Sequence, residues 1–133
     1  MNKDNLYKIA EKDGICIDFF NLPQTSSVSI EYNGKYYIGI DTRFCGRVTK
    51  ERVLLAHELG HCKTAAFYNM YSPFENREKY EKKADKWAIN YLVPRDRLKK
   101  AIKQGNCCIP SLAQYFDVTE EFMEKALKYY TFG

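Results

Sequence analysis

Residues 57–61 read His57-Glu58-Leu59-Gly60-His61, and they contain both histidines of this 133-residue chain. Residues four apart lie on one face of an α-helix, about 6 Å apart along its axis. Two imidazoles at that spacing can bind one Zn²⁺ ion, and the glutamate between them is then available as a general base. The pentapeptide therefore predicts a helix that carries a catalytic zinc site.

Composition and length limit the classes of protein to which the chain can belong. A length of 133 residues suits one domain, and 45% hydrophobic with 29% charged residues is ordinary for a soluble globular protein. The sequence has no apolar run long enough to span a membrane and no secretory signal. Five cysteines without a C-x-x-C pair do not suggest a disulfide framework, which favours a reducing compartment. We therefore expect one cytoplasmic domain over residues 1–133, a monomer that does not bind membranes.

The remaining sequence has the pattern of a short sheet followed by several helices. Alternating apolar residues predict strands around residues 15–20, 28–32 and 36–40, and helical spacing predicts helices over about 50–66 and 75–92. Shorter helices are expected before the first strand and after Pro94. These elements predict an α+β fold in which a small antiparallel sheet of about three strands packs on a mostly helical body.

The dipeptide Asn33-Gly34 marks the turn between the second and third strands, and the length of this turn sets their register. A strict two-residue loop would pair Ile30 with Tyr37 and place the apolar residues of the two strands on opposite faces. A three-residue loop would pair Ile30 with Tyr36, and all the β-branched residues would then share one face. We therefore favour the three-residue loop.

A catalytic zinc site needs a third protein ligand, and the helix predicted over residues 75–92 offers several carboxylates. Glu81 follows His61 by 20 residues, which is long enough for a helix, a loop and a returning helix. Ala84 and Ala88 are small, so this helix can approach the histidine helix closely. Asp85, one turn after Glu81, could accept a hydrogen bond from the outward nitrogen of a ligand histidine. We expect Glu81 to be the ligand and Asp85 to orient a histidine.

Other assignments of these carboxylates remain open. Glu75 and Glu78 lie in the same predicted helix and are rival third ligands. This helix is also rich in lysine and glutamate, so Glu81 itself could be an ordinary solvated charge. The position of Glu81 beside the two small alanines is what favours it.

Residues 111–122 have the spacing of the first part of a helix-turn-helix, which raises the question of nucleic-acid binding. The second helix of this segment would begin with Glu120 and Glu121 and continue with Glu124, and these carboxylates would repel phosphates. The net charge of +4 permits a nucleic-acid partner but does not argue for one. We therefore expect no direct contact with nucleic acid.

The combined motifs resemble those of the ImmA/IrrE family of metallo-endopeptidases. The resemblance rests on three motifs: His57-Glu58-Leu59-Gly60-His61 after a hairpin, the pattern Arg77…Glu81-x-x-Ala84-Asp85-x-Trp87-Ala88, and Leu92-x-Pro94. It covers roughly residues 28–130. Trp87 is a small departure, because phenylalanine is common at that position in the family.

This resemblance implies a compact zincin-like domain with a gluzincin-type site, in which His57, His61 and Glu81 bind one Zn²⁺ ion and Glu58 is the catalytic base. It also implies proteolysis of a protein substrate, typically a helix-turn-helix repressor encoded by the same mobile element. We therefore expect a zinc-dependent endopeptidase. The alternative is a non-catalytic, metal-bound regulatory protein that binds a repressor or a sensor partner, but the presence of Glu58 argues against it.

Overall fold

The computed structural model of the chain describes residues 3–68 and 71–132, which form a three-stranded sheet and six α-helices. The chain order is α1 (Lys3–Lys12), β1 (Cys16–Phe20), β2 (Ser27–Tyr32), β3 (Lys35–Asp41), a 3₁₀ turn (Thr42–Phe44), α2 (Val48–Thr64), α3 (Phe74–Leu92), α4 (Arg95–Lys103), α5 (Ile109–Phe116) and α6 (Glu120–Phe132). These elements make one small domain, which confirms the predicted α+β class. The predicted domain ends at residues 1 and 133 lie outside the described residues.

The sheet is mixed, with β3 between β1 and β2. β2 runs antiparallel to β3, but β1 runs parallel to it, with Cys16 opposite Tyr37 and Phe20 opposite Asp41. The prediction of a wholly antiparallel sheet was therefore wrong for one of the two pairings. The reason is the order of the strands: β3 turns back from β2 and inserts beside β1, so it runs in the direction of β1.

The hairpin between β2 and β3 has a two-residue loop, and the predicted three-residue loop was wrong. Asn33 and Gly34 both have positive φ values, 52° and 77°, as a type I′ turn requires. Ile30 consequently lies opposite Tyr37 instead of Tyr36. The local conformation of Asn-Gly, and not the clustering of β-branched residues on one face, determines this register.

This register sorts the side chains of β2 between two faces. Ser27 and Ser29 lie opposite the buried Ile40 and Ile38 and share their face of the sheet, which packs on α2. Val28 and Ile30 lie on the other face and remain 37% and 54% exposed. The helix-facing side of this edge strand therefore presents small hydroxyl side chains.

Helix α2 lies at the centre of the domain, where the sheet, α1 and α3 all pack against it. Leu55, Ala56 and Leu59 have no exposed surface. The helix ends at Ala65, which has a left-handed conformation with φ of 52°. The N–H of Ala66 then donates to the carbonyl oxygen of His61, so the chain turns back beside the second histidine.

Helix α3 packs closely against α2, and the backbones of the two helices meet at Gly60 and Ala84. A Cβ atom added at Gly60 would lie 2.9 Å from Cα of Ala84 and would also collide with the carbonyl oxygen of Ala84. Only a glycine at position 60 leaves room for this approach. Among the described residues, no helix is both long and apolar enough to cross a lipid bilayer.

The Gly60→Ala substitution tests the importance of this approach. Alanine favours an isolated helix by about 1 kcal/mol over glycine, but the added methyl group must push the α3 backbone away, at a cost of roughly 1–3 kcal/mol. We expect the free energy of unfolding, measured by urea denaturation, to fall. Lys99→Ala, at an exposed position of α4, should change it by less than about 0.5 kcal/mol. A Gly60→Ala protein that is more stable than the wild type would contradict the close approach.

Candidate metal centre

The two histidines of α2 face one carboxylate of α3. Nε2 of His57 lies 2.8 Å from Oε2 of Glu81, and Nε2 of His61 lies 3.2 Å from Oε1 of the same residue. One ligand atom from each of the three side chains lies within 4.8 Å of the others. His57, His61 and Glu81 could therefore hold one metal ion, and the structure brings together the three residues predicted to do so.

The chemistry of this donor set fits zinc. Two imidazole nitrogens and one carboxylate oxygen are a usual protein contribution to a catalytic Zn²⁺ site, whose fourth position is left for water or substrate. The side chain of His61 is 5% exposed, whereas those of His57 and Glu81 are 21% and 37% exposed. The cluster is therefore anchored in the protein on one side and accessible from solvent on the other.

The remaining nitrogen of each histidine ring has its own partner. Nδ1 of His57 lies 2.8 Å from Oδ1 of Asp85, and Nδ1 of His61 lies 2.5 Å from the carbonyl oxygen of Ala66. If each Nδ1 carries the proton and donates it, each Nε2 presents a lone pair towards Glu81. Asp85 thus lies where the sequence predicted, and Nζ of Lys125 approaches its other carboxylate oxygen at 3.3 Å.

The carboxylates change the protonation of the histidines in the metal-free protein. Burial by itself lowers the pKa of His57, but its hydrogen bonds with Asp85 and Glu81 outweigh this effect and raise the pKa to about 10. The pKa of His61 is also raised, against the effect of burial, by Glu81 and by the carbonyl group of Ala66. Burial raises the pKa of Glu81, but hydrogen bonds from both histidines lower it overall. The carboxylates of Asp85 and Glu81 therefore favour the protonated form of His57.

Glu58 lies beside this cluster and is not one of the three possible ligands. Its side chain is buried, and the hydroxyl group of Ser27 on β2 donates a hydrogen bond of 2.6 Å to its Oε2. Glu58, His61 and Glu81 line one cavity of about 220 Å³, whose opposite wall is the start of β2. A carboxylate in this position can exchange protons with a molecule bound in the cavity.

The rival third ligands, Glu75 and Glu78, do not belong to the metal cluster in the described part of the chain. Both line a groove along α3 and α6 that is rich in lysine. Glu78 forms an ion pair with Lys82 at 3.5 Å, one turn further along the helix. Both side chains therefore face this groove, whereas that of Glu81 faces the two histidines.

Sequence reasoning did not identify two further residues of the site, Ser27 and Tyr68. The hydroxyl group of Tyr68 donates a hydrogen bond of 2.6 Å to Oε1 of Glu81. Burial and this carboxylate raise the pKa of Tyr68 to about 12. No sequence signal singles out this residue among 11 tyrosines. Ser27 could have been found only from the correct register of the hairpin.

Comparisons with known proteins agree with this site. The family model Peptidase_M78, described as the IrrE N-terminal-like domain, matches residues 10–128. The matched region includes the metal cluster, Glu58, and the hydrogen-bond partners of both. No curated protein matches the chain.

Substitution of the ligands tests the composition of the metal centre. Removal of a side chain that only orients a ligand typically weakens metal binding about 10–100-fold. His57→Ala and Glu81→Ala remove ligands themselves, so we expect each to weaken Zn²⁺ binding by more than this, measured by competition with a chelator of known affinity. Glu75→Ala and Glu78→Ala are the matched controls and should bind as the wild type does. If Glu78→Ala behaves like His57→Ala, the assignment of the third ligand is wrong.

Metal binding should also release protons. With a pKa of about 10, His57 is protonated at pH 7 in the metal-free protein, whereas a histidine must be neutral to bind a metal. We expect release of about one proton or more per Zn²⁺ ion at pH 7, and affinity that rises with pH. Titration calorimetry in buffers of different ionisation enthalpy measures this number. Asp85→Asn removes a group that raises the pKa and should reduce the release, and binding without proton release would contradict the assigned charges.

Proposed function

The chain belongs to the IrrE N-terminal-like domain family, a metallopeptidase-type family, and we propose that it is a zinc-dependent endopeptidase acting on a protein substrate. The observation that carries the proposal is the arrangement of His57, His61 and Glu81 around one point, with Glu58 in the same cavity. A site that only stabilised a fold would gain nothing from an additional buried carboxylate beside the ion.

We propose one Zn²⁺ ion per chain, held by Nε2 of His57, Nε2 of His61 and a carboxylate oxygen of Glu81. When bound, the ion would polarise the carbonyl group of the scissile peptide and lower the pKa of a coordinated water to about 7. Asp85 and the carbonyl group of Ala66 orient the two imidazoles, because each lies at hydrogen-bond distance from an Nδ1 atom.

Glu58 is the general base in this proposal. It accepts a proton from the attacking water as the new carbon–oxygen bond forms, and it then donates this proton to the leaving amine as the carbon–nitrogen bond breaks. The hydroxyl group of Ser27 donates to Oε2 of Glu58, which leaves Oε1 of the same carboxylate to accept the proton. Ser27 is a positioning residue that holds the base at the wall of the cavity.

The free edge of β2 suits an extended peptide. The residues that flank a two-residue hairpin loop, Tyr32 and Lys35, form a hydrogen-bonded pair, so alternate residues of β2 bond to β3. The main-chain groups of Ser29 and Glu31 therefore point away from β3. Ser29 also lines the cavity that contains Glu58. We propose that the substrate adds to this edge as a further strand and thereby presents its peptide bond to the site.

The proposed substrate is a helix-turn-helix repressor encoded by the same mobile element, as the resemblance to the ImmA/IrrE family implies. Main-chain recognition at a strand edge suits a protein segment that becomes extended, and it does not require a nucleic acid.

All five cysteines are free thiols, and four of them are exposed, which suits a reducing cytoplasm. We also propose that the active unit is a monomer, since His57, Glu58, His61 and Glu81 of the same chain suffice for the proposed chemistry.

Cleavage of a candidate repressor tests the proposed function. The substrate to use is a small helix-turn-helix protein encoded next to this chain, incubated with zinc-loaded protein and analysed by mass spectrometry. Loss of a general base typically slows a reaction about 10²–10⁴-fold, so we expect the wild type to cut one or a few peptide bonds and Glu58→Gln to cut them at a rate reduced by this factor. Glu121→Gln, at an exposed position of α6, is the matched control and should cut normally.

The Glu58→Gln protein also distinguishes an enzyme from a regulator that only binds. If the wild type and Glu58→Gln bind the repressor equally and neither cuts it, the protein is a non-catalytic regulator and the proposed activity is wrong. If both cut it at the same rate, Glu58 is not the base.

A further inference from the structure

The hydroxyl group of Tyr68 contacts the candidate metal cluster, although Tyr68 is not one of its three possible ligands. Its hydroxyl group lies 2.6 Å from Oε1 of Glu81, and its ring lies edge-on to that of His61 with centroids 6.1 Å apart. The residue is nevertheless 40% exposed and lines the same cavity as Glu58. Its hydroxyl group therefore lies between the possible metal site and the space that a substrate would enter.

The two residues before Tyr68, Ala66 and Phe67, are both held in place by contacts beside the site. The carbonyl oxygen of Ala66 lies 2.5 Å from Nδ1 of His61. The ring of Phe67 stacks on Tyr36 of β3, with centroids 5.2 Å apart and an angle of 21° between the planes. Because these two residues are tied to α2 and the sheet, the backbone that leads into Tyr68 is held beside the site.

We propose that the hydroxyl group of Tyr68 donates a hydrogen bond to the oxyanion that develops on the scissile carbonyl oxygen. Two ligand atoms of one tetrahedral zinc ion lie roughly 3 Å apart, so a hydroxyl that touches a ligand oxygen of Glu81 can reach a substrate oxygen at the neighbouring position. For this the hydroxyl group turns its one hydrogen from Oε1 of Glu81 to the substrate oxygen. The proton stays on Tyr68 throughout, and the hydrogen bond strengthens as negative charge builds up on the substrate oxygen. This inference rests on the proposed endopeptidase function.

The other hydroxyl groups of the cavity are less suitable donors. Among the described residues that line it, Tyr68 is the only tyrosine. The hydroxyl groups of Thr25, Ser27 and Ser29 also line the cavity, but that of Ser27 is directed at Glu58 and that of Thr25 at the carbonyl oxygen of Ser27, 3.2 Å away. Tyr68 alone has a hydroxyl directed at the cluster of His57, His61 and Glu81.

The Tyr68→Phe variant tests this role, because it removes the hydroxyl group and retains the ring. Tyr32→Phe is the matched control, since Tyr32 is 65% exposed and lies on the face of the sheet directed away from α2. On the cleaved repressor we expect Tyr68→Phe to lower kcat about 100-fold, as loss of one oxyanion donor typically does, with little change in KM. Tyr32→Phe should have the kcat and KM of the wild type.

A binding measurement gives a second readout that does not depend on the substrate. Acetohydroxamate places anionic oxygens on a zinc ion, and the zinc-loaded wild type should bind it about tenfold more tightly than Tyr68→Phe does, because a hydrogen bond to an anionic group is lost. Affinity for Zn²⁺ itself should change less than about threefold, well below the 10–100-fold loss typical of a residue that supports a ligand.

The possible outcomes separate three cases. A loss of Zn²⁺ affinity in Tyr68→Phe comparable with that in Asp85→Asn would overturn the proposal and make Tyr68 a positioning residue for Glu81. Unchanged kcat and unchanged acetohydroxamate affinity would also overturn it. If the wild type cuts no substrate, the proposed endopeptidase function fails, and the acetohydroxamate result still decides whether Tyr68 donates to an oxygen at the metal.

Discussion

The contact between Gly60 and the backbone of Ala84 holds the two halves of the candidate metal site together. Both histidines come from α2 and the carboxylate comes from α3, so the distance between these helices sets the distance between the ligands. A carboxylate side chain can extend only a few ångströms from its helix. An additional methyl group between the backbones would therefore move Glu81 away from both Nε2 atoms. Glycine lowers the intrinsic stability of helix α2. Its lack of a side chain, however, lets the helices approach closely enough for the three possible ligand atoms to lie within 4.8 Å of one another.

Close packing alone would not keep three polar groups in this geometry without an ion, because unpaired buried charges are costly. In the metal-free protein the two imidazoles share the carboxylate of Glu81, and Asp85 raises the pKa of His57 enough to keep it protonated. A proton on His57 thus offsets part of the negative charge of Glu81 and Asp85.

The predictions from sequence that succeeded rested on strong local patterns. The spacing of His57 and His61 required a helix, and the small residues Ala84 and Ala88 indicated the face on which α3 would meet it. Glu81 followed from that face. Tyr68 could not be predicted, because it lies in a segment without regular structure whose path depends on the left-handed end of α2 at Ala65 and on the stacking of Phe67 on Tyr36. Such contacts connect distant parts of the chain and leave no periodic pattern.

The error in the hairpin register shows why burial was the wrong criterion at this strand. A rule that puts every β-branched residue in the core would direct Val28 and Ile30 towards α2, whereas the Asn33-Gly34 turn directs Ser27 and Ser29 there. The inner face of β2 borders the cavity and not only the core, so small hydroxyl groups suit it better than isoleucine or valine. A shift of one residue would remove the hydrogen bond from Ser27 to Glu58 and fill the cavity with apolar side chains. The turn, which lies outside the site, therefore determines which face of β2 contacts Glu58.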